Sequence, residues 1–240
     1  MLPQKFKIIF PRYWEKMPDT VFVKNYEGFP YNKKEILRYC GVKEENEETS
    51  DLLKNCLHEC ENIFSYKVCY IEVPVKTENN TVDFGFAKTE SAALHKNLAG
   101  CGRTVLFAAT AGLGIDRLIL KYSRVSAAKA VMFQAIGAER IEALCNGFCD
   151  DLQKRFEVQN LYLRPRFSPG YGDFSIEFQK SMFSVLDCNR KIGLSLNESM
   201  LMMPSKSVTA VIGISNTPCR RHDENCLYCE MKNCNFRRSK

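Results

Sequence analysis

The sequence predicts an α+β fold built on a largely antiparallel sheet. Its 240 residues contain short apolar runs typical of strands and longer segments with helical periodicity. These segments do not follow the regular strand–helix–strand order of a parallel sheet, so the strands are expected to pair in antiparallel fashion. A hydrophobic content of 45% and a charged content of 26% are ordinary for a globular chain.

Prolines and helix caps organise the first sixty residues. Residues 1–30 contain four prolines and are interpreted as an irregular N-terminal arm. Asn32 is the expected N-cap of a helix over Lys33–Tyr39. The acidic run at 44–48 is interpreted as a solvated linker, and the next helix, 50–63, is expected to begin at a serine cap.

Strands are expected to dominate the next fifty residues. The segments 67–76 and 81–87 are rich in β-branched and aromatic residues and flank an Asn-Asn turn, so they are expected to form a hairpin. Thr89 is the expected cap of a short helix that ends near Gly100. Arg103–Thr110 is almost entirely apolar in its centre, which predicts a central strand buried on both faces.

The second half begins with two expected helices. A glycine-containing turn leads into a helix around 118–122. Ser126 then caps the longest helix, which is expected to reach Phe156 because apolar residues recur every three to five positions. The remaining expected elements are a strand at 160–163, a helix at 174–186, and strands at 198–203 and 208–214.

Composition narrows the functional class. The net charge of +6 is modest and concentrated near the chain ends, and the core shows no basic face with interleaved aromatics, so nucleic-acid binding is not expected. No apolar run approaches the ~18 residues of a membrane helix, and the start does not look like a signal peptide. Twelve cysteines without a secretory signal indicate a cytoplasmic protein whose thiols bind metal or react, rather than a disulfide framework.

The stretch Arg164–Tyr171, R-P-R-F-S-P-G-Y, is unusually constrained. Proline fixes φ and pushes the preceding residue to extended geometry, which predicts a stiff segment over Leu163–Ser168. Pro169-Gly170 then predicts a tight turn in which glycine takes positive φ. An arginine fork held in such a segment suits a carboxylate or phosphate, although the octapeptide alone also fits a surface loop with solvated arginines.

A second stretch, Asn197–Val208, follows about thirty residues later. Together the two stretches contain R-x-x-x-G-Y and then E-S-x-x-M-x-P-x-x-S-V. This pair resembles the activation (reactivation) domain of cobalamin-dependent methionine synthase, in which the two motifs occur in this order and at this spacing. The resemblance is specific from about Arg164 to Ser215.

The resemblance implies a domain organisation and a shape for the sheet. It extends loosely back to about Asn32 and leaves out the first thirty residues and the cysteine-rich tail. Residues 31–216 are therefore expected to form an activation domain-like unit, with a curved sheet flanked by helices. The N-terminal arm at 1–30 and a metal-binding tail at 217–240 would lie outside it.

The resemblance also implies candidate ligand residues. In the family, the R-x-x-x-G-Y loop binds S-adenosylmethionine, and an acidic residue of the long helix contacts the same ligand. That acidic residue matches Glu142, with Glu139 as the neighbour that could be confused with it. The methionyl end of the ligand carries a carboxylate that an Arg fork can bind and an ammonium that a Glu can bind. The candidate ligand residues are Glu142, Arg166, Ser168, Gly170 and Tyr171.

The resemblance further implies a role in reactivation. In the family, the activation domain presents S-adenosylmethionine to oxidised cob(II)alamin, an electron reduces the cobalt, and the methyl group moves from sulfonium to metal. The protein's task there is mainly positioning. This sequence lacks a D-x-H-x-x-G cobalamin motif, so the cobalamin is expected on a separate methionine synthase or related corrinoid protein. A flavodoxin-like or ferredoxin-like protein is the expected electron donor, and the chain is expected to be an accessory subunit rather than a complete catalyst.

The tail carries a separate candidate metal site. Cys219, Cys226, Cys229 and Cys234 stand as C-x6-C-x2-C-x4-C in a polar segment that cannot fold by burying apolar surface. The C-x2-C spacing brings two thiolates to one metal. A structural zinc, an iron–sulfur cluster and a tail with spare thiols all remain open. The alternative function is accordingly an iron–sulfur electron-transfer protein for a corrinoid partner. A structural partner that has lost ligand binding is disfavoured by the intact R-x-x-x-G-Y motif.

Overall fold

A computed structural model describes residues 20–42 and 44–218, which contain seven helices and ten strands. The helices are α1 (Lys33–Tyr39), α2 (Glu47–Glu59), α3 (Ala92–Asn97), α4 (Gly114–Tyr122), α5 (Ala127–Glu157), α6 (Phe178–Leu186) and α7 (Cys188–Ile192). The strands are β1 (Phe22–Tyr26), β2 (Tyr66–Pro74), β3 (Lys76–Glu78), β4 (Thr81–Asp83), β5 (Lys88–Glu90), β6 (Arg103–Thr110), β7 (Tyr162–Leu163), β8 (Ser195–Leu196), β9 (Met202–Met203) and β10 (Ser207–Ser215).

The main sheet has five strands in the order β1-β2-β6-β10-β7, and every neighbouring pair is antiparallel. The apolar strand β6 lies at its centre, as predicted. Its side chains alternate between two cores, with Val105, Phe107 and Ala109 on one face. Leu106 and Ala108 point to the opposite face, and all five are fully buried.

Helices cover both faces of this curled sheet. The long helix α5 packs on one face through Leu144, Phe148 and Leu152. Residues of α3, α6 and α7, including Leu94 and Met182, pack on the other face. A third core joins α1, α2 and α4 to the first half of α5. The predicted α+β fold, with an antiparallel sheet flanked by helices, is confirmed.

Several predicted boundaries agree with the structure. Asn32 caps α1, and its side-chain oxygen accepts a hydrogen bond from the Glu35 N–H at 3.2 Å. Ser126 caps α5, which ends one residue beyond the predicted Phe156. Among the described residues, no helix is long and apolar enough to cross a membrane. Even the 31-residue α5 fails this criterion.

Other expected boundaries were wrong because a competing cap was used. Helix α2 begins at Glu47 with Asn46 as its N-cap, so the end of the acidic run is helical and not a linker. Carboxylates are favoured in a first helical turn, where they face unpaired N–H groups. Helix α3 is capped by Ser91, whereas Thr89 belongs to strand β5.

The expected strand pairing also needs correction. Strand β2 pairs with β1 and β6, and only the small β3–β4 hairpin forms around the predicted Asn-Asn turn. The end of the expected irregular arm is a strand, since Phe22–Tyr26 pairs with β2 along its whole length. In the segment 198–203 only Met202–Met203 is extended, and it pairs with β8. Helix α6 begins at Phe178, four residues later than expected.

Candidate functional site

The arginine-containing loop lies along the free edge of β10. Leu163, in the edge strand β7, pairs with Ile214 of β10. The Arg164 N–H donates to the Gly213 carbonyl at 2.8 Å. Phe167 and Val211 then exchange two hydrogen bonds of 2.9 Å. The segment is therefore extended, as its prolines predict, and it is held as an interrupted edge strand.

The side chain of Arg166 points from this strand toward α5. Its Nη1 donates to Asn146 Oδ1 at 2.9 Å, and its Nη2 forms an ion pair with the Glu142 carboxylate. Glu142 and Asn146 are one turn apart on α5, so both face the loop. The Arg166 side chain is only 11% exposed, against 35% for Glu142. Two of the predicted ligand residues are thus in direct contact.

The surroundings of Arg166 fix its charge. Burial of the guanidinium acts to lower its pKa, but the Glu142 carboxylate raises it, and the net direction is upward. Burial raises the pKa of both neighbouring thiols, Cys145 and Cys149, so they stay neutral. Glu142 is therefore the charged partner of Arg166.

The Pro169-Gly170 turn closes the loop. Gly170 has a φ of 93°, the positive value that was predicted. Its N–H donates to the Phe174 carbonyl at 2.8 Å, and the Tyr171 N–H donates to the Ser168 carbonyl at 3.1 Å. The Tyr171 side chain is 68% exposed, with its ring 6.4 Å from that of Phe167. The turn thus presents a large aromatic surface to solvent.

The second motif leads into the start of β10. The peptide between Met203 and Pro204 is cis, and the Ser207 hydroxyl donates to the Pro204 carbonyl at 2.8 Å. The backbone N–H of Ser205 donates to the Asp116 carboxylate at 3.0 Å. The bond to Asp116 ties the β9–β10 connection to α4, so this motif fixes where β10 begins.

Sequence comparison identifies the family. Residues 95–220 match the model of the family described as "Vitamin B12 dependent methionine synthase, activation domain". The chain belongs to this family. The matched segment includes β6, α5, the arginine loop and β10, and so contains every candidate ligand residue. No curated protein sequence matches the chain.

Fold comparison agrees with this assignment. The chain is similar to a solved structure described as "Crystal Structure of the MetH Reactivation Domain bound to AdoHcy", with a TM-score of 0.60. The match covers 87% of this chain and 84% of the other, at 14% sequence identity. At that identity the similarity establishes a shared fold, which is the fold of an activation domain.

Within this activation domain, Glu139 has a different role from Glu142. Glu139 is buried and pairs with the fully buried Arg140 at 2.6 Å. The Arg140 guanidinium also donates to the Phe29 and Pro30 carbonyls at 2.6 and 2.7 Å. The Glu139–Arg140 pair therefore holds the N-terminal segment against α5. Glu142, in contrast, faces the arginine loop.

One feature that the sequence did not predict lies on β10 at Thr209, which is 1% exposed. Because Val211 directs its N–H and C=O toward Phe167, Thr209, two residues away, directs its own groups to the same edge. Among the described residues, backbone pairing along this edge of β10 runs from Val211 to Ser215. The Thr209 hydroxyl is buried and lacks a hydrogen-bond partner. Cavities of about 430 and 380 Å³ lie elsewhere, along α6.

The predicted tail cysteines lie outside the described residues. Cys219, Cys226, Cys229 and Cys234 all follow residue 218, the last that the structure describes. Within the ranges 20–42 and 44–218, no three His, Cys, Asp or Glu side chains are grouped so that they could hold a metal ion. The tail assignment thus remains a prediction.

Proposed function

We propose that this activation domain binds S-adenosylmethionine at the β10 edge, with Arg166 and Glu142 holding its amino-acid end. The observation that carries the proposal is the direct contact of one buried cation with one half-buried anion beside a fixed turn. The methionyl end of the ligand presents a carboxylate and an ammonium next to each other. It can therefore meet both side chains without leaving a charge unpaired.

Binding would exchange one ion pair for two. Arg166 and Glu142 neutralise each other in the structure, so neither charge is isolated. The ligand carboxylate would take Glu142's place at the guanidinium, and the ammonium would take Arg166's place at Glu142. Asn146 keeps one Nη of Arg166 in position during the exchange. The guanidinium is thus pre-organised, which reduces the entropy lost on binding.

The adenosyl part would lie along the loop and the strand edge. Tyr171 offers an exposed ring for packing, and the turn closed at the Ser168 carbonyl fixes the backbone beside it. The similar reactivation domain was solved bound to AdoHcy, an adenosyl compound, which supports a ligand of this class.

We further propose that the bound ligand serves reductive methylation of a cobalamin. Cob(II)alamin would first gain one electron and become cob(I)alamin. Cob(I)alamin would then accept the methyl group as the sulfonium's carbon–sulfur bond breaks, leaving S-adenosylhomocysteine. Residues of this chain would hold the sulfonium in line and exclude competing geometries. The cobalamin would be carried by a methionine synthase or related corrinoid protein, the kind of partner that the family implies. The electron would come from a flavodoxin-like or ferredoxin-like donor.

Two measurements on the wild-type chain test this function. Calorimetry should show saturable binding of S-adenosylmethionine, and the protein should restore activity to a cob(II)alamin-loaded methionine synthase lacking its own activation domain. Restoration should require both S-adenosylmethionine and a reductant. Absence of binding would contradict the ligand assignment, and binding without restoration would contradict the corrinoid role.

Replacing Gly170 with alanine should damage binding more than stability. A φ of 93° is strained for any residue with a Cβ, and the added atom would meet Ile176 Cδ1 at 3.1 Å. Relief would come from a shift of the turn, because the flanking strand is pinned at Phe167. We expect affinity for S-adenosylmethionine to fall by about tenfold while the melting temperature falls by a few degrees at most. Gly193→Ala, at another positive φ with open space around it, is the matched control and should leave affinity unchanged.

For the tail, we propose that Cys219, Cys226, Cys229 and Cys234 bind one metal centre. Ser215 ends β10 beside Arg164, and Cys219 follows four residues later, within about 14 Å of chain length. The centre is therefore tethered to the same sheet edge as the ligand loop. Anaerobic purification with iron, sulfide and zinc analysis is the test. Iron with sulfide would support an electron-transferring cluster, one zinc would indicate a structural site, and four titratable free thiols would contradict a metal centre.

A further inference from the structure

Asp173 lies two residues beyond Tyr171 and joins the ligand loop to a separate helix. Its Oδ2 accepts a hydrogen bond from the Ala92 N–H at 2.7 Å, and its Oδ1 accepts from the Ala93 N–H at 3.2 Å. Oδ1 also accepts a short hydrogen bond from the Ser91 hydroxyl. One exposed carboxylate thus makes three contacts with the start of α3, about eighty residues away in sequence.

The loop approaches α3 closely at this point. Gly172, between Tyr171 and Asp173, has a φ of 55°, and a Cβ there would lie 3.3 Å from that of Ala93. Helix α3 is itself fixed to the core, because Leu94 is fully buried and the Ser91 hydroxyl caps the helix by accepting a hydrogen bond from the Leu94 N–H. Asp173 therefore connects the loop to a rigid part of the molecule.

The next residue completes the anchor. Phe174 is 1% exposed, its carbonyl accepts from the Gly170 N–H, and its own N–H donates to the Tyr171 carbonyl at 2.9 Å. The loop is thus held upstream by the Phe167 bridge to β10 and downstream by Asp173 and Phe174. Between these two anchors stand Ser168, Gly170 and Tyr171, the residues of the turn that would contact the ligand.

We propose that Asp173 is a positioning residue that sets the conformation of the Ser168–Tyr171 turn for ligand binding. This proposal rests on the proposed function, since it concerns affinity for the same ligand. Asp173 touches no candidate ligand group and acts only through the backbone of the turn. The hydrogen bond from Ser91 lowers the pKa of Asp173, so its carboxylate is ionised at neutral pH and accepts all three bonds.

Loss of this anchor should lower affinity by loosening the turn. Without it, the segment from Ser168 to Gly172 would sample other conformations, and binding would have to order it. We expect Asp173→Ala to weaken S-adenosylmethionine binding by about five- to tenfold. Asp173→Asn, which keeps one acceptor, and Ser91→Ala, which removes one donor, should each have smaller effects.

Calorimetry and amide hydrogen exchange together test the proposal. In Asp173→Ala the amides of Gly170 and Tyr171 should exchange faster, whereas Asp150→Ala, an exposed carboxylate on α5, should change neither exchange nor affinity. The Ser91→Ala and Asp173→Ala effects on affinity should be non-additive in the double variant, because they remove the same contact. Unchanged exchange at the turn, or a lower melting temperature with wild-type affinity, would overturn the proposal. If the wild-type chain binds no S-adenosylmethionine, the proposed function fails, and the exchange rates still decide whether Asp173 fixes the turn.

Discussion

Arg166→Ala should reduce affinity for S-adenosylmethionine by at least about 30-fold, or roughly 2 kcal/mol. The substitution removes the fork that would bind the ligand carboxylate, and the loss of a charge-assisted bidentate contact leaves that carboxylate unpaired. It also removes the ion-pair partner of Glu142. The measurement is a calorimetric titration of the folded variant, with its melting temperature as the check on folding.

Arg164→Ala is the matched control in the same octapeptide. Arg164 lies outside the motif spacing, and its Nη2 donates to the Ala99 carbonyl and the Ser215 hydroxyl, both at 3.3 Å. Its loss should therefore lower stability more than affinity. Arg166→Lys should fall between wild type and alanine, because lysine keeps the charge but loses the planar fork. Equal losses of affinity for the two alanine variants would contradict the assignment of Arg166.

Elements with strong local signals were predicted correctly. Asn32 and Ser126 cap their helices by accepting hydrogen bonds from backbone N–H groups three residues later. The apolar run Arg103–Thr110 can bury both of its faces only at the centre of a sheet. The positive φ of Gly170 follows equally from a Pro-Gly pair. In each case the determining atoms lie within a few residues of one another, so the sequence contains the whole cause.

Elements decided by distant packing were not predicted correctly. Asn46 and Ser50 are both good N-caps four residues apart, and the helix begins after Asn46, whose side chain accepts a hydrogen bond from the Thr49 N–H. The sequence of β1 has no strong strand pattern. All five of its residues pair with β2, and this long-range pairing holds them extended. Propensity is a weak prior that tertiary contacts override.

The candidate site also combines features set by local sequence with features set by distant contacts. The loop conformation could be derived from its own prolines and glycine, but the partner of Arg166 could not, because a glutamate on a helix gives no local sign of its role. Glu142 was selected by family resemblance alone, and the structure brings it into contact with Arg166. The contact of Asp173 with α3 spans about eighty residues and had no sequence signal at all.

Arg140→Met should be the most destabilising of the substitutions discussed, with a loss of about 3–5 kcal/mol. The Arg140 side chain is 1% exposed and Glu139 is 5% exposed, so removing the cation leaves a carboxylate buried and unpaired. It also removes the donors to the Phe29 and Pro30 carbonyls and the guanidinium that lies 4.1 Å from the Tyr31 ring. The free energy of unfolding in urea is the quantity to measure.

Two comparisons isolate the buried pair as the cause. Adding Glu139→Gln to Arg140→Met should recover part of the loss, because the double variant no longer buries an unpaired charge. Arg155→Met removes an ion pair with Glu72 in which the arginine is 48% exposed, and it should lower stability by about 1 kcal/mol or less. If Arg140→Met were no more destabilising than Arg155→Met, the buried pair would not fasten the N-terminal segment. At temperatures where it stays folded, Arg140→Met should bind S-adenosylmethionine far better than Arg166→Ala does, since Arg140 supports the fold and Arg166 faces the ligand.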